Sequence, residues 1–167
     1  INNMIEKPDF ITLSTIANSP EGTIEDNSNL YFPFLELDEW VFIIPAAADI
    51  DQWHPSIINF EGNTWVLLFT DSTMAHNFAK LNPEEFLSKD GSILYIPLKV
   101  KDALHMIYDL HAKGLFGMQI NYGLPGFYIP ISSMPNVIDY LLRTKTVLSA
   151  MELPDLFALS VLPNKPI

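Results

Sequence analysis

From Trp40 onward the chain alternates between short, wholly apolar runs and longer stretches with helical spacing. "WVFIIP" (40–45) and "TWVLLFT" (64–70) are apolar at odd and even positions alike. Runs of that length, rich in β-branched and aromatic residues, predict strands buried on both faces, the second of them central in a sheet. "ILYIPL" (93–98) predicts a third strand, and Pro97 puts its end near an edge or bulge. "FGMQIN" (116–121) and "FYIPI" (127–131) predict two more, joined by a tight turn.

Helical spacing fills the gaps between these runs. "DSTMAHNFAKL" (71–81) places Ala75, Phe78 and Ala79 on one face. Asp71 or Ser72 stands where an N-cap accepts bonds from the first free backbone N–H groups. "VKDALHMIYDLHAKG" (100–114) carries the stripe Val100, Ala103, Leu104, Ile107, Leu110 and His111, with Gly114 as a fitting C′ residue. "SSMPNVIDYLLRTKTVL" (132–148) predicts a last helix, its stripe formed by Val137, Ile138, Leu141, Leu142 and Leu148.

The flanks read differently. "NSPEGTIEDNSN" (18–29) is a Pro/Gly/Asn/Asp cluster that predicts a loop, and Pro33 argues against a central strand at 30–40. "SAMELPDLFALSVLPNKPI" (149–167) is apolar but broken by Pro154, Pro163 and Pro166, so an extended arm is expected, packed on the domain or on another chain. The expected organisation is therefore a loop-rich segment at 1–39, a domain at 40–148 and an arm at 149–167. The fold class is α+β: a single domain with a mixed β-sheet of about five strands and three main helices.

Composition adds two constraints. Charged residues are 17% of the 167 positions and hydrophobic residues 49%, against about 25% charged in an average soluble domain. Such a chain holds a sizeable core and has apolar surface to spare, which points to a protein partner or a homodimer. The net charge of −11 is also unevenly placed. No Lys or Arg occurs from Pro8 to Ala79, while Asp9, Glu21, Glu25, Asp26, Glu36, Asp38, Glu39, Asp49, Asp51, Glu61 and Asp71 all lie there. A nucleic-acid binder needs clustered cations to displace counterions, and an anionic membrane surface needs them too. Neither partner is expected. The acidic half reads as a solubility device or as a docking surface for a basic partner.

The absence of cysteine excludes disulfides, thiol nucleophiles and Cys-ligated metals. The longest apolar run, "WVFIIPAAA" (40–48), falls far short of a roughly 20-residue membrane span. With no signal-peptide pattern, a cytoplasmic location is expected. There is no Gly-x-Ser-x-Gly elbow, no P-loop and no His-Glu-x-x-His. Asp49 and Asp51 stand at alternate positions, with His54 and Glu61 not far on, a spacing that suits oxygen ligands of a calcium loop, but the glycine and terminal bidentate Glu of that loop are missing. His105 and Asp109 stand at i, i+4 and suit a helix-surface pair. No metal or other cofactor is expected.

One stretch, "GLFGMQINYGLPGFYIPIS" (114–132), leaves two readings open. Leu124-Pro125-Gly126-Phe127 fits a type II turn, with Gly126 supplying the positive φ. Asn121 would then bond its own turn backbone. In the other reading Gln119 and Asn121, which share a strand face, line a polar cleft with Asp71 and His76.

Phe69-Thr70-Asp71 at the end of one strand and Ile120-Asn121 at the end of another resemble the motifs of the SseB N-terminal domain family. The similarity spans roughly residues 40–145. Tyr122 departs from it, standing where that family commonly has Pro. The resemblance implies a small bacterial module without a catalytic residue to carry over. The expected function is a non-catalytic binding or regulatory module. The alternative is a small-ligand sensor or enzyme built around Asp71, His76, Gln119 and Asn121.

Overall fold

A computed structural model describes residues 8–144. Six α-helices and six strands follow in the order α1 (Phe10–Ala17), α2 (Ile24–Leu35), β1 (Glu39–Ile44), β2 (Ile57–Phe60), β3 (Asn63–Leu68), α3 (Ser72–Leu81), α4 (Pro83–Phe86), β4 (Leu94–Lys99), α5 (Val100–Ala112), β5 (Gly117–Ile120), β6 (Phe127–Pro130) and α6 (Met134–Thr144). The architecture is α+β in a single domain. Four strands pair in the order β2-β3-β5-β6, and β1 pairs separately with β4. The larger sheet is mixed, with β3 and β5 parallel and its other pairs antiparallel.

The two sheets meet at one point. Val41 and Phe69 exchange both backbone bonds, N–H to O at 2.9 and 2.8 Å, as an isolated antiparallel bridge. Leu67 N–H donates to Ser56 on the β2 side, so the same edge of β3 takes β2 first and β1 at its end. The single five-stranded sheet expected from the apolar runs is thus a four-stranded sheet and a ribbon joined end to end. The added strand, β2, forms a hairpin with β3 across Glu61-Gly62. Both of these residues have positive φ (51° and 81°), the conformation of a type I′ turn.

β1 is buried from Trp40 to Ile44, as its unbroken apolar run requires. Strand alternation sends Trp40 and Phe42 to one core and Val41 and Ile43 to another. The larger core lies between the sheet and α1, α2, α5 and α6; the smaller lies under α3 and α4. The protein is therefore layered helix–sheet–helix. α5 buries Val100, Ala103, Leu104 and Ile107, while Leu110 and His111 from the expected stripe are half-buried at its margin. It ends in a Schellman motif: Leu115 N–H reaches Leu110 O and Gly114 N–H reaches His111 O, both at 3.0 Å, with Gly114 at φ 111°.

The expectation of a loop-rich segment at 1–39 is corrected by α1 and α2. Asp9 caps α1 by accepting from Thr12 N–H at 3.1 Å. Thr23 and Asp26 form a capping box that starts α2 inside the stretch expected to be loop. Pro33 lies inside α2, near its end. Phe34 at that end stacks on Trp40, with ring centroids 4.4 Å apart and planes 4° apart, and Trp40 Nε1 donates to Phe34 O at 3.1 Å. The N-terminal helices thus belong to the main core. The expected arm at 149–167, with Leu148 and the end of the last helix, lies outside the described residues.

Candidate functional site

Asn121 is completely buried and takes a left-handed φ of 54°, a conformation Asn tolerates. Its backbone N–H continues the β3–β5 ladder by donating to Leu68 O at 3.0 Å. Its side chain then crosses to Thr70: Oδ1 accepts from Thr70 N–H at 3.0 Å and Nδ2 donates to Thr70 Oγ1 at 3.1 Å. The amide therefore finishes a parallel strand pair where regular backbone pairing has stopped. A bond to its own turn is one of the two readings the sequence leaves open, and the amide bonds Thr70 instead.

The turn itself lies three residues earlier than expected. Leu124 N–H donates to Asn121 O at 3.0 Å, and Gly123 has φ 79° at the third turn position, which a type II turn requires. Gly126 does not have positive φ. It is required for a different reason: a Cβ there would sit 2.1 Å from Ile120 O and 2.4 Å from Asn121 O. The backbone of 126 is pressed against the end of β5, and Asn18 Nδ2 from the end of α1 donates to Gly126 O at 2.8 Å.

Three other residues of the expected cleft also make local bonds or pack in the sheet. Asp71 caps α3, Oδ1 accepting from Met74 N–H at 2.8 Å. His76 Nε2 bonds Gly91 O at 2.9 Å; because a carbonyl only accepts, Nε2 carries the proton. His76 borders an open depression of about 360 Å³ with Ser72, Thr73, Gly91, Ser92, Ile93 and Tyr95, which Asp71, Gln119 and Asn121 do not line. Gln119 is buried in β5 between its register partners Leu67 and Tyr128. Asp49 accepts from Asp51 N–H at 3.0 Å, and among the described residues no three His, Asp or Glu side chains are grouped to hold a metal. His105 and Asp109 are both exposed on α5. Among the described residues no helix is long and apolar enough to cross a membrane.

The most conspicuous surface feature is one the apolar runs concealed. Trp65, on β3, is opposite Gly117 in the parallel register. Gly117 has no side chain, and a Cβ there would lie 2.5 Å from Trp65 Cζ3, so the indole lies over β5. It meets Phe116 and Tyr128 edge-on, at centroid separations of 4.9 and 5.6 Å. Its Nε1 donates to Phe60 O at 3.4 Å. Trp65 is buried, but Phe116, Tyr128 and Phe60 are 38%, 58% and 44% exposed. Together they form an aromatic platform around a buried Trp on the side of the sheet that carries α3 and α4. The strand alternation needed to group Trp65, Gly117 and Tyr128 is in the sequence; the β3–β5 register is not.

Helices α2 and α6 make a second concavity. An apolar groove of about 220 Å³ runs between them, lined by Ile24, Asn27, Ser28, Tyr31, Asn136, Val137, Tyr140 and Leu141. Asn27, Tyr31 and Val137 also line a neighbouring cleft of about 250 Å³ that reaches Phe127 and Tyr128 on β6. Burial, and then the nearby Tyr128, raise the Tyr31 pKa.

No family model, curated protein or solved structure matches the chain.

Proposed function

We propose that the protein is a non-catalytic binding module, of the kind the SseB-like motifs imply, and that the aromatic platform is its docking face for a protein partner. The observation that carries this reading is the exposure of Phe116 and Tyr128 around a Trp that is already packed. Aromatic residues at a surface offer large contact area with little rotamer entropy to lose, and they dominate the energetically important centres of interfaces. The net charge of −11 sets the sign of the partner, because long-range steering favours a cationic one and opposes a second copy. The reading supposes a bacterial, cytoplasmic protein, as the resemblance implies. The polar residues at the ends of β3 and β5 support it indirectly, since Asp71 and Asn121 make bonds that close the fold.

The test uses the full chain and a Phe116→Ser/Tyr128→Ser variant as paired baits in native lysate. A protein retained by the first and lost from the second, whose purified affinity falls as salt rises, is the expected result. Sedimentation equilibrium on both chains covers the self-partner. A dimer abolished by the double substitution assigns the face to a second copy. Equal retention by both baits overturns the docking role.

A further inference from the structure

We propose that the groove between α2 and α6 is the seat of the chain's own C-terminal segment, residues 145–167, bound in cis. The groove fits a peptide better than a cofactor. Its volume of about 220 Å³ is below the roughly 300–1,000 Å³ of small-molecule sites, yet the adjoining cleft extends it toward β6. Its walls are apolar at Ile24, Val137 and Leu141, and Asn27 and Asn136 stand among them with amides that suit extended backbone.

Position favours this occupant. The segment follows Thr144, the last described residue of α6, which stands one turn beyond the groove residue Leu141. Its 23 residues (145–167) can span tens of ångströms at roughly 3.3 Å each, whereas α6, with 11 residues, is about 16 Å long at 1.5 Å rise. The chain can therefore turn back along the groove with length to spare. Its composition matches as well. Leu153, Leu156, Phe157, Leu159 and Leu162 are apolar, and Lys145 and Lys165 cancel Glu152 and Asp155. Pro154 and Pro163 favour an extended path over a helix. A tethered segment acts at about millimolar effective concentration, so at micromolar protein it outcompetes the same segment of another copy by about a thousandfold.

The chain lacks cysteine, so disulfide trapping in the full chain reads the contact directly. Phe157→Cys is paired with Asn27→Cys, and in a second variant with Asn136→Cys. The control pairs it with Glu61→Cys on the β2–β3 turn. Expected under mild oxidation is a monomeric cross-link at both groove positions, forming at least tenfold faster than in the control. Adding Leu153→Asp and Leu156→Asp slows it to the control rate. Cross-linked dimers predominating at micromolar protein would overturn the proposal in favour of exchange between copies. Groove pairs no faster than the control would overturn it outright. Phe60→Ser/Phe116→Ser, on the aromatic platform but outside both concavities, leaves trapping unchanged, which separates this result from the fate of the docking face.

Discussion

Asn121 and Thr70 are held together by two hydrogen bonds at the open end of the β3–β5 pair, 3.0 Å from Thr70 N–H to Oδ1 and 3.1 Å from Nδ2 to Thr70 Oγ1. Both residues are buried, so neither group has water to fall back on. Asn121→Ala leaves the Thr70 N–H unpaired at a cost of about 1–3 kcal/mol and adds about 1–2 kcal/mol for a left-handed alanine. Asn121→Gly incurs only the first of these costs, because glycine adopts the left-handed φ without strain. Chemical denaturation of both variants should therefore rank them wild type, Gly, Ala. Equal stability of the Gly variant and the wild type would remove the side-chain bonds from the account.

Gly123 and Gly126 are required for different physical reasons, and alanine separates them. At Gly123 a Cβ meets nothing within 4 Å, so Gly123→Ala costs only the strain of its φ of 79°, about 1–2 kcal/mol. At Gly126 the new methyl collides with fixed backbone oxygens 2.1 and 2.4 Å away. Gly126→Ala is expected to cost clearly more than Gly123→Ala and to disturb the β5–β6 amides in hydrogen exchange. The reverse order would contradict the close approach.

Asp71→Ala should lower stability by about 0.5–2 kcal/mol by freeing Met74 N–H at the start of α3. Asp71→Asn, which still accepts that bond, should recover most of the loss in urea denaturation. A full loss in the Asn variant would assign the effect to charge.

Burial pushes the Tyr108 phenol up to about 12, from an ordinary value near 10. The folded state thus holds this proton more tightly than the unfolded chain. Its contribution is fully present below about pH 10 and is lost as pH rises toward 12. The phenolate absorbance that disappears in Tyr108→Phe should titrate well above that of free tyrosine. Among the described residues the buried Tyr108 hydroxyl has no partner, so Tyr108→Phe should keep or raise stability at neutral pH, by up to about 1 kcal/mol. A loss would reveal a bonding partner for the hydroxyl.

The strands and helices after Trp40 were legible because period and composition agree there. β1 and β3 are buried on both faces, α3 begins at Asp71, and Gly114 ends α5. β2 was missed because "IINF" is short and three of its four residues are exposed, so no alternation marks it. α2 was hidden by the polar cluster at its start, although Thr23-x-x-Asp26 is a readable capping box. The polar positions of the candidate cleft could be read, but not their partners: Asn121 depends on Thr70, 51 positions away. The aromatic platform depends on Gly117 lying opposite Trp65, a register no local pattern specifies.

Phe127 on β6 touches three rings of the N-terminal helices: Phe10 at 6.5 Å, Tyr31 at 6.1 Å and Phe34 at 5.3 Å. During synthesis those helices emerge first and wait for it. From Phe34 to Phe127 is 93 positions, so at about 5–20 residues per second the ribosome leaves an aromatic surface uncovered for about 5–20 s. Until Phe127 is made, the nascent chain presents an uncovered aromatic surface of the kind chaperones bind. A silent codon change that slows elongation between 36 and 126 lengthens that exposure without altering one residue of the product.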